Sequence, residues 1–132
     1  MLQRIQTVYL FLVAVLATTM YFLPLLFVIA KPKTYYIFPY FTASLVLLTS
    51  LITIFLYKNR KLQIKLSIVN IVFLLLTFVE AFFINYQKTN YVLLYSFDIG
   101  AILPLISIIF TILAIKFIKK DEKLVKSLYR LR

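Results

Sequence analysis

The sequence contains no cysteine, no histidine and no tryptophan, and it has a single glycine among its 132 residues. Without cysteine there are no disulfides and no thiol nucleophiles, and without histidine the commonest metal ligand and general base are missing. Acidic side chains are also scarce, because only four Asp and Glu residues are present. Most catalytic sites need several of these groups, so the composition predicts a protein that is not an enzyme and uses no metal or cofactor.

Apolar and basic side chains are present in excess. Apolar residues make up 64% of the chain and charged residues only 14%, whereas a soluble domain is roughly 45–50% apolar and about 25% charged. A short domain also exposes a large share of its surface, which in water must be polar. The composition therefore argues against a soluble globule and favours an integral membrane protein.

Four apolar runs follow one another along the chain, at residues 7–30, 38–57, 66–86 and 99–118. Each is about 20 residues or longer, which lets a helix cross a hydrocarbon core of about 30 Å. The short linkers between them favour antiparallel neighbours. We predict an all-α integral membrane four-helix bundle with up-down topology over residues 1–118, followed by a cytoplasmic basic amphipathic helix at 119–132. Pro24 is expected to kink or end the first helix.

The first run begins close to the N-terminus, as a secretory signal would. It is longer than the roughly 7–15 apolar residues of a signal, and no Ala-x-Ala site follows it, so we interpret it as a retained span. Twelve of the 15 Lys and Arg residues fall on one predicted side, and only Lys31, Lys33 and Lys88 fall on the other. Because cytoplasmic loops are enriched in Lys and Arg, both termini are predicted to be cytoplasmic.

Tyrosines concentrate on the side that carries few cations. Six of the ten lie there, where such rings anchor helices at headgroup depth or form a surface for a partner. They are Tyr35, Tyr36, Tyr40, Tyr86, Tyr91 and Tyr95.

The fourth apolar run carries small residues at helical spacing, namely Gly100, Pro104, Ser107, Thr111 and Ala114. At about 100° per residue they fall within an arc of roughly 80° on one helix face. Small side chains let membrane helices approach closely, so we interpret this face as a packing surface rather than as the lining of a permeation path. Asp98 directly precedes the run and is positioned to cap the N-terminus of that helix.

Two polar residues of the third run, Asn70 and Glu80, share one helix face. Glu80 is the only acid well inside a predicted span, where a carboxylate must face the bundle, pair with a cation or be protonated. We expect a structural or interfacial role for Glu80, with a proton or ion role and contact with another subunit as the alternatives. Asn70 is expected to form an interhelical hydrogen bond.

The C-terminal end is strongly basic and has its apolar residues at helical spacing. Within it, Glu122 and Lys126 are placed for an ion pair between residues i and i+4. A helix of this kind binds anionic lipid, with about 1 kcal/mol from each cation at the surface, or docks on a cytoplasmic protein or the ribosome. No recognised nucleic-acid-binding motif is present. The candidate contact residues are Lys119, Lys120, Lys123, Lys126, Arg130 and Arg132.

Both ends of the sequence and the start of the fourth run carry a family resemblance. The segments are Gln3–Thr7 (QRIQT), Gly100–Ile106 (GAILPLI), and Lys120–Ser127 (KDEKLVKS) with the closing RLR. They resemble an uncharacterised family of small four-span membrane proteins of bacteria, over essentially the whole chain. The resemblance implies a location in the bacterial inner membrane and a specific role for the C-terminal end, and it implies no activity.

We therefore predict a non-enzymatic membrane protein that serves as a subunit or assembly factor of a membrane complex. Its expected partners are the lipid bilayer, a membrane protein or complex, and a cytoplasmic protein or ribosome at the C-terminal helix. The alternative is a small proton- or ion-coupled transporter or channel that uses Glu80. An enzyme is the least favoured class, because only two acids lie outside the C-terminal helix.

Overall fold

In the computed structural model, the chain is built from α-helices. The structure describes the backbone of residues 2–30, 37–88 and 99–130, and the side-chain surroundings of residues 5–20, 22, 40–83 and 101–127. This part of the chain holds four helices and no strand, which confirms the predicted all-α fold with four helices. The helices are α1 (Leu2–Ala30), α2 (Ile37–Phe55), α3 (Arg60–Lys88) and α4 (Ile99–Arg130).

A tight turn centred on Asn59 joins α2 to α3. The Asn59 N–H donates to the Leu56 carbonyl, and the Asn59 carbonyl accepts the N–H of Gln63, both over 3.0 Å. Asn59 is thus the N-cap of α3, a position at which asparagine is among the preferred residues. Because of this cap, α3 begins at Arg60, ahead of the apolar run that starts at residue 66.

Neither Pro24 nor Pro104 ends the helix that contains it. α1 passes through Pro24 and continues to Ala30, so of the two expected effects of this proline, a kink or an end of the helix, the end does not occur. α4 likewise contains Pro104 in its second turn. Each proline removes one N–H donor from its helix, which is a limited loss in helices of 29 and 32 residues.

α4 continues without a break from its apolar run into the basic residues that follow. The C-terminal helix predicted at 119–132 is therefore the last part of α4 as far as Arg130, and residues 131 and 132 lie outside the described residues. No glycine or proline occurs between residues 105 and 132, so the sequence provides no helix-terminating residue there. We call residues 119–130 the basic segment.

The four helices form a bundle in which each packs against two neighbours, α1 and α3 each contacting α2 and α4. Gln6 near the start of α1 reaches Phe117 near the end of α4, and Arg60 at the start of α3 reaches Asp121 of α4. These contacts make both pairs antiparallel. Since the tight turn also makes α2 and α3 antiparallel, the bundle has up-down topology.

In the described part of the bundle, many of the buried side chains are small or polar, and many of the exposed side chains are large and apolar. Eleven buried hydrophobic residues are matched by eleven buried polar or charged ones. Ala17, Ala43 and Leu74 belong to the apolar core, whereas bulky side chains such as Phe41 and Phe55 are 60% and 77% exposed. This distribution is the reverse of that in a soluble helical bundle, where the largest apolar side chains fill the core.

Two of the helices are long and apolar enough to cross a membrane, over Arg60–Phe83 and Ala101–Ser127. Among the described residues, α1 and α2 contribute the shorter apolar stretches Ile5–Met20 and Tyr40–Phe55.

Candidate functional site

A line of polar side chains, which we call the polar seam, follows the interface between α2 and α3. It consists of Thr42, Thr49, Thr53, Gln63, Asn70 and Glu80. At one end Thr42 Oγ1 donates a hydrogen bond to Glu80 Oε2 over 2.8 Å, and at the other Gln63 Nε2 donates to the Thr53 carbonyl over 3.2 Å. Glu80 thus contacts the neighbouring helix through its carboxylate, as a structural role would require.

Asn70 lies in the middle of the polar seam and is fully buried. Its Oδ1 accepts a hydrogen bond of 2.9 Å from Thr49 Oγ1, so it forms an interhelical bond. Its Nδ2 has no hydrogen-bond partner among the described residues. A buried donor without a partner lowers the stability of the folded state by about 1–3 kcal/mol. The Asn70 amide is therefore a position in the described interior where a further hydrogen bond could form.

Hydroxyl groups elsewhere in the interior are satisfied within their own helices. Ser67 donates to the Gln63 carbonyl over 2.9 Å, Ser107 to the Leu103 carbonyl over 2.9 Å, and Thr111 to the Ser107 carbonyl over 2.7 Å. Bonds to a carbonyl three or four residues earlier let Ser and Thr enter an apolar environment without a partner on another helix.

The small residues predicted as a packing face of α4 are found on the inner side of that helix. Pro104, Ser107, Thr111 and Ala114 are all buried. Gly100 is part of the α4 backbone, but its surroundings lie outside the described residues, as does Asp98 altogether.

Arg60 and Asp121 form an ion pair at the end of the bundle where α1 and α3 begin and α2 and α4 end, which we call the basic end. Their Nη2 and Oδ2 atoms are 3.1 Å apart, with side chains 22% and 12% exposed. Among the described residues Oδ2 has no partner with hydrogen-bond geometry, so the contact is a charge pair rather than a directed hydrogen bond. Sequence reasoning assigned Asp121 no role at a site, although the helical period of α4 puts it in line with buried Ala114 and Ile118.

A second contact at the basic end joins the first and last helices. Gln6 Nε2 donates to the Phe117 carbonyl over 3.1 Å, and the ring of Tyr9 stacks on that of Phe117 with centroids 5.5 Å apart. Sequence reasoning assigned Gln6 no role. Its position four residues before buried Leu10 would have placed it on the inner face of α1.

The basic segment presents its lysines outwards. Lys119, Lys120, Lys123 and Lys126 are all exposed. Lys126 Nζ lies 2.8 Å from Glu122 Oε1, so the predicted i,i+4 pair is present. The hydrogen bond from Lys126 and the positive charges of Lys126, Lys61 and Arg60 hold the pKa of Glu122 below its usual value. Arg130 ends the described helix with its side-chain surroundings undescribed, and Arg132 lies outside the described residues.

In the described part of the chain, no group of three or more His, Cys, Asp or Glu side chains could hold a metal ion. The family model for a domain of unknown function, DUF4293, matches residues 2–131. The chain belongs to the DUF4293 family. Membership fits the resemblance to an uncharacterised family, and the DUF4293 description carries no activity with it. No match was found among curated proteins or among solved structures.

The Arg60–Asp121 pair gives a stability test for this member of the DUF4293 family. Asp121→Asn keeps the shape of the side chain but leaves the half-buried guanidinium without its counter-charge, so we expect a loss of about 1–3 kcal/mol. Thermal unfolding followed by circular dichroism in mild detergent measures it. The matched control is Glu122→Gln, which removes one acid from a pair within a single helix whose cation, Lys126, is exposed to solvent, and it should change the unfolding midpoint much less. Equal effects of the two substitutions would contradict a structural role for the Arg60–Asp121 pair.

Proposed function

We propose that all four helices cross a bacterial inner membrane, with both termini and the α2–α3 turn in the cytoplasm. The observation that carries this proposal is the apolar exterior around a polar interior, because a soluble monomer rarely exposes continuous apolar patches above a few hundred Å². The membrane-length windows in α3 and α4 are only 22% and 33% buried. A core helix of a soluble protein would be mostly buried, so these low fractions favour a lipid environment.

Helix lengths support four spans. α1 has 29 residues and α2 has 19, which correspond to about 44 Å and about 28 Å of helix. Both are comparable with a hydrocarbon core of about 30 Å. The cations of the basic end support the orientation, since exposed Lys58, Lys61 and Lys65 lie at the same end as the basic segment.

The proposed topology can be tested with single cysteines, because the chain has none of its own. We expect a cysteine at Ser127 to react with a membrane-impermeant maleimide only after the cytoplasmic side is opened, and a cysteine at Lys33 to react in intact spheroplasts. A cysteine at Leu75, on the exposed apolar surface, should stay unreactive in both. Release of the protein by alkaline carbonate, or labelling at Leu75, would contradict the membrane proposal.

Within the membrane, the protein acts in our proposal as a non-enzymatic subunit or assembly factor of a membrane complex. The basic segment is its docking surface, for a partner protein with an acidic face or for anionic lipid. The supporting observation is that Asp121 holds this segment to the bundle through Arg60 while four lysines and Leu124 face outwards. A helix fixed in this way presents its charges in one arrangement, so little conformational entropy is lost on binding.

The docking surface can be tested by photo-cross-linking in native membranes from a probe at Leu124, followed by mass spectrometry. We expect a discrete protein adduct that is lost in the triple variant Lys123→Gln, Lys126→Gln and Arg130→Gln. The matched control removes the three cations predicted at the opposite end, with Lys31, Lys33 and Lys88 changed to Gln. An adduct that survives the first variant, or is lost in both, would count against docking by the basic segment, and a lipid-only adduct would favour the membrane surface.

The polar seam favours a second candidate function, a small proton- or ion-coupled transporter or channel that uses Glu80. The observations are the Glu80 carboxylate between two helices and the buried Asn70 amide, whose Nδ2 is available to water or to a substrate oxygen. Against it stands the intrahelical bonding of the other hydroxyls, which leaves little of the described interior for a permeant.

Glu80→Gln separates the two roles of this residue. The amide oxygen of Gln still accepts the hydrogen bond from Thr42, so a structural role predicts unchanged folding and unchanged behaviour. A transport role predicts proton or cation flux into liposomes by the original protein and at least tenfold less by the variant. Thr42→Val, which removes the hydrogen bond but keeps the carboxylate, is the control. Flux no greater than in empty liposomes would contradict the transport function.

A further inference from the structure

An open groove at the basic end separates the α2–α3 turn from the end of α4. On the first side it is lined by the chain from Tyr57 to Leu62, and on the second by Glu122 and Val125. The groove thus joins two elements that the sequence separates by about sixty residues. Of the side chains on the turn side of this groove, the fold uses Arg60 in its ion pair with Asp121, and the proposed docking surface uses none.

The charges in the groove do not cancel one another. Asp121, the neighbour of the lining residue Glu122, is paired with Arg60, and Glu122 itself is paired with Lys126. Lys58 and Lys61 are exposed on the turn and form no ion pair with another described residue. Two ammonium groups therefore remain to attract an anion. Tyr57 and Asn59 also line the groove, and their hydroxyl and amide groups are hydrogen-bond donors.

The chain next to the groove is apolar on its outer surface. Phe55, Tyr57 and Leu62 are 77%, 55% and 46% exposed, so an anion in the groove would lie beside uncovered hydrocarbon. A free phosphate ion has no group to cover these side chains. A phospholipid has both parts, because its phosphate meets the lysines at headgroup depth while its acyl chains cover the apolar surface.

We infer that this groove binds the phosphate of an anionic phospholipid, with Lys58 and Lys61 as its cationic contacts. The inference rests on the proposed membrane location and adds a specific lipid site to it. It is distinct from general attraction to a negative surface, which every exposed lysine of the basic end would share. The site is placed where the apolar surface of α2 ends, so the lipid occupies the cytoplasmic leaflet beside α2 and α3.

The test uses the full chain in detergent with added phosphatidylglycerol or phosphatidylcholine, and native mass spectrometry to titrate lipid adducts. We expect preferential binding of phosphatidylglycerol. The double variant Lys58→Gln with Lys61→Gln should weaken it about 10- to 30-fold, because each cation near a phosphate raises the affinity by a similar factor and the two factors multiply. The matched control is Lys65→Gln with Lys116→Gln. It removes the same charge from two exposed lysines of the same end outside the groove, and it should change binding less than threefold.

Several results would overturn the inference. Equal weakening by both double variants would mean diffuse attraction, and equal binding of the two lipids would mean no headgroup site. Competition by inorganic phosphate at lipid-like concentrations would assign the groove to a free ion. Loss of the protein cross-link, but not of lipid adducts, in the Lys58 and Lys61 variant would assign it to a protein partner.

Unchanged circular dichroism and unfolding midpoints of both variants show that lost binding is not lost folding. The cysteine-labelling pattern separates the two proposals, because a chain that spans the membrane but shows no lipid preference contradicts the groove alone. A chain that labels as a soluble protein contradicts the membrane location as well.

Discussion

Polar groups inside this bundle have few possible partners other than groups of the chain itself, and this constraint shapes the structure. The described interior holds eleven polar or charged residues beside eleven hydrophobic ones, whereas bulky hydrocarbon side chains such as Phe55 face outwards. In the proposed membrane location, the sequestering of hydrocarbon from water would therefore not hold the helices together. Close packing of small side chains and a limited set of hydrogen bonds remain as the forces between helices. The polar seam supplies hydrogen bonds of this kind, and the Arg60–Asp121 ion pair adds an attraction between charges.

Small residues and hydroxyl-bearing residues both allow the helices to pack closely. Ala17 and Ala43 in the core let neighbouring backbones approach, and so does Ala114 on the inner face of α4. Ser67, Ser107 and Thr111 fill similarly small volumes while donating to carbonyls of their own helices, so they need no hydrogen-bond partner on a neighbouring helix. Asn70 differs, because an amide has more donors and acceptors than one hydroxyl can satisfy. Its Nδ2 is therefore left without a hydrogen-bond partner among the described residues.

Much of the fold can be predicted from the sequence, because run length and helical period are local properties. Four apolar runs gave four helices, and the spacing of small residues in the fourth run marked a single face. Contacts between distant residues could not be predicted in the same way. The pairing of Arg60 with Asp121, and the inward position of Gln6, depend on which helices become neighbours and on their relative rotation. The sequence indicates the continuity of α4 past Ile118 only through the absence of glycine and proline there, and it predicts a separate helix at 119–132 because the composition changes at that point.

The contact between Gln6 and Phe117 has a consequence for the order in which the chain can be completed during synthesis. The contacts of the polar seam join residues 10, 21 and 38 positions apart, so the hairpin of α2 and α3 can close while the ribosome is still translating α4. Gln6 is 111 residues from its acceptor. Its amide has no acceptor on α4 until nearly the whole protein has been made. In the proposed topology its position in the second turn of α1 lies close to the cytoplasmic boundary of the membrane, where water can hydrate the amide in the meantime. The first helix to be synthesised is thus the last to have its side-chain hydrogen bonds completed.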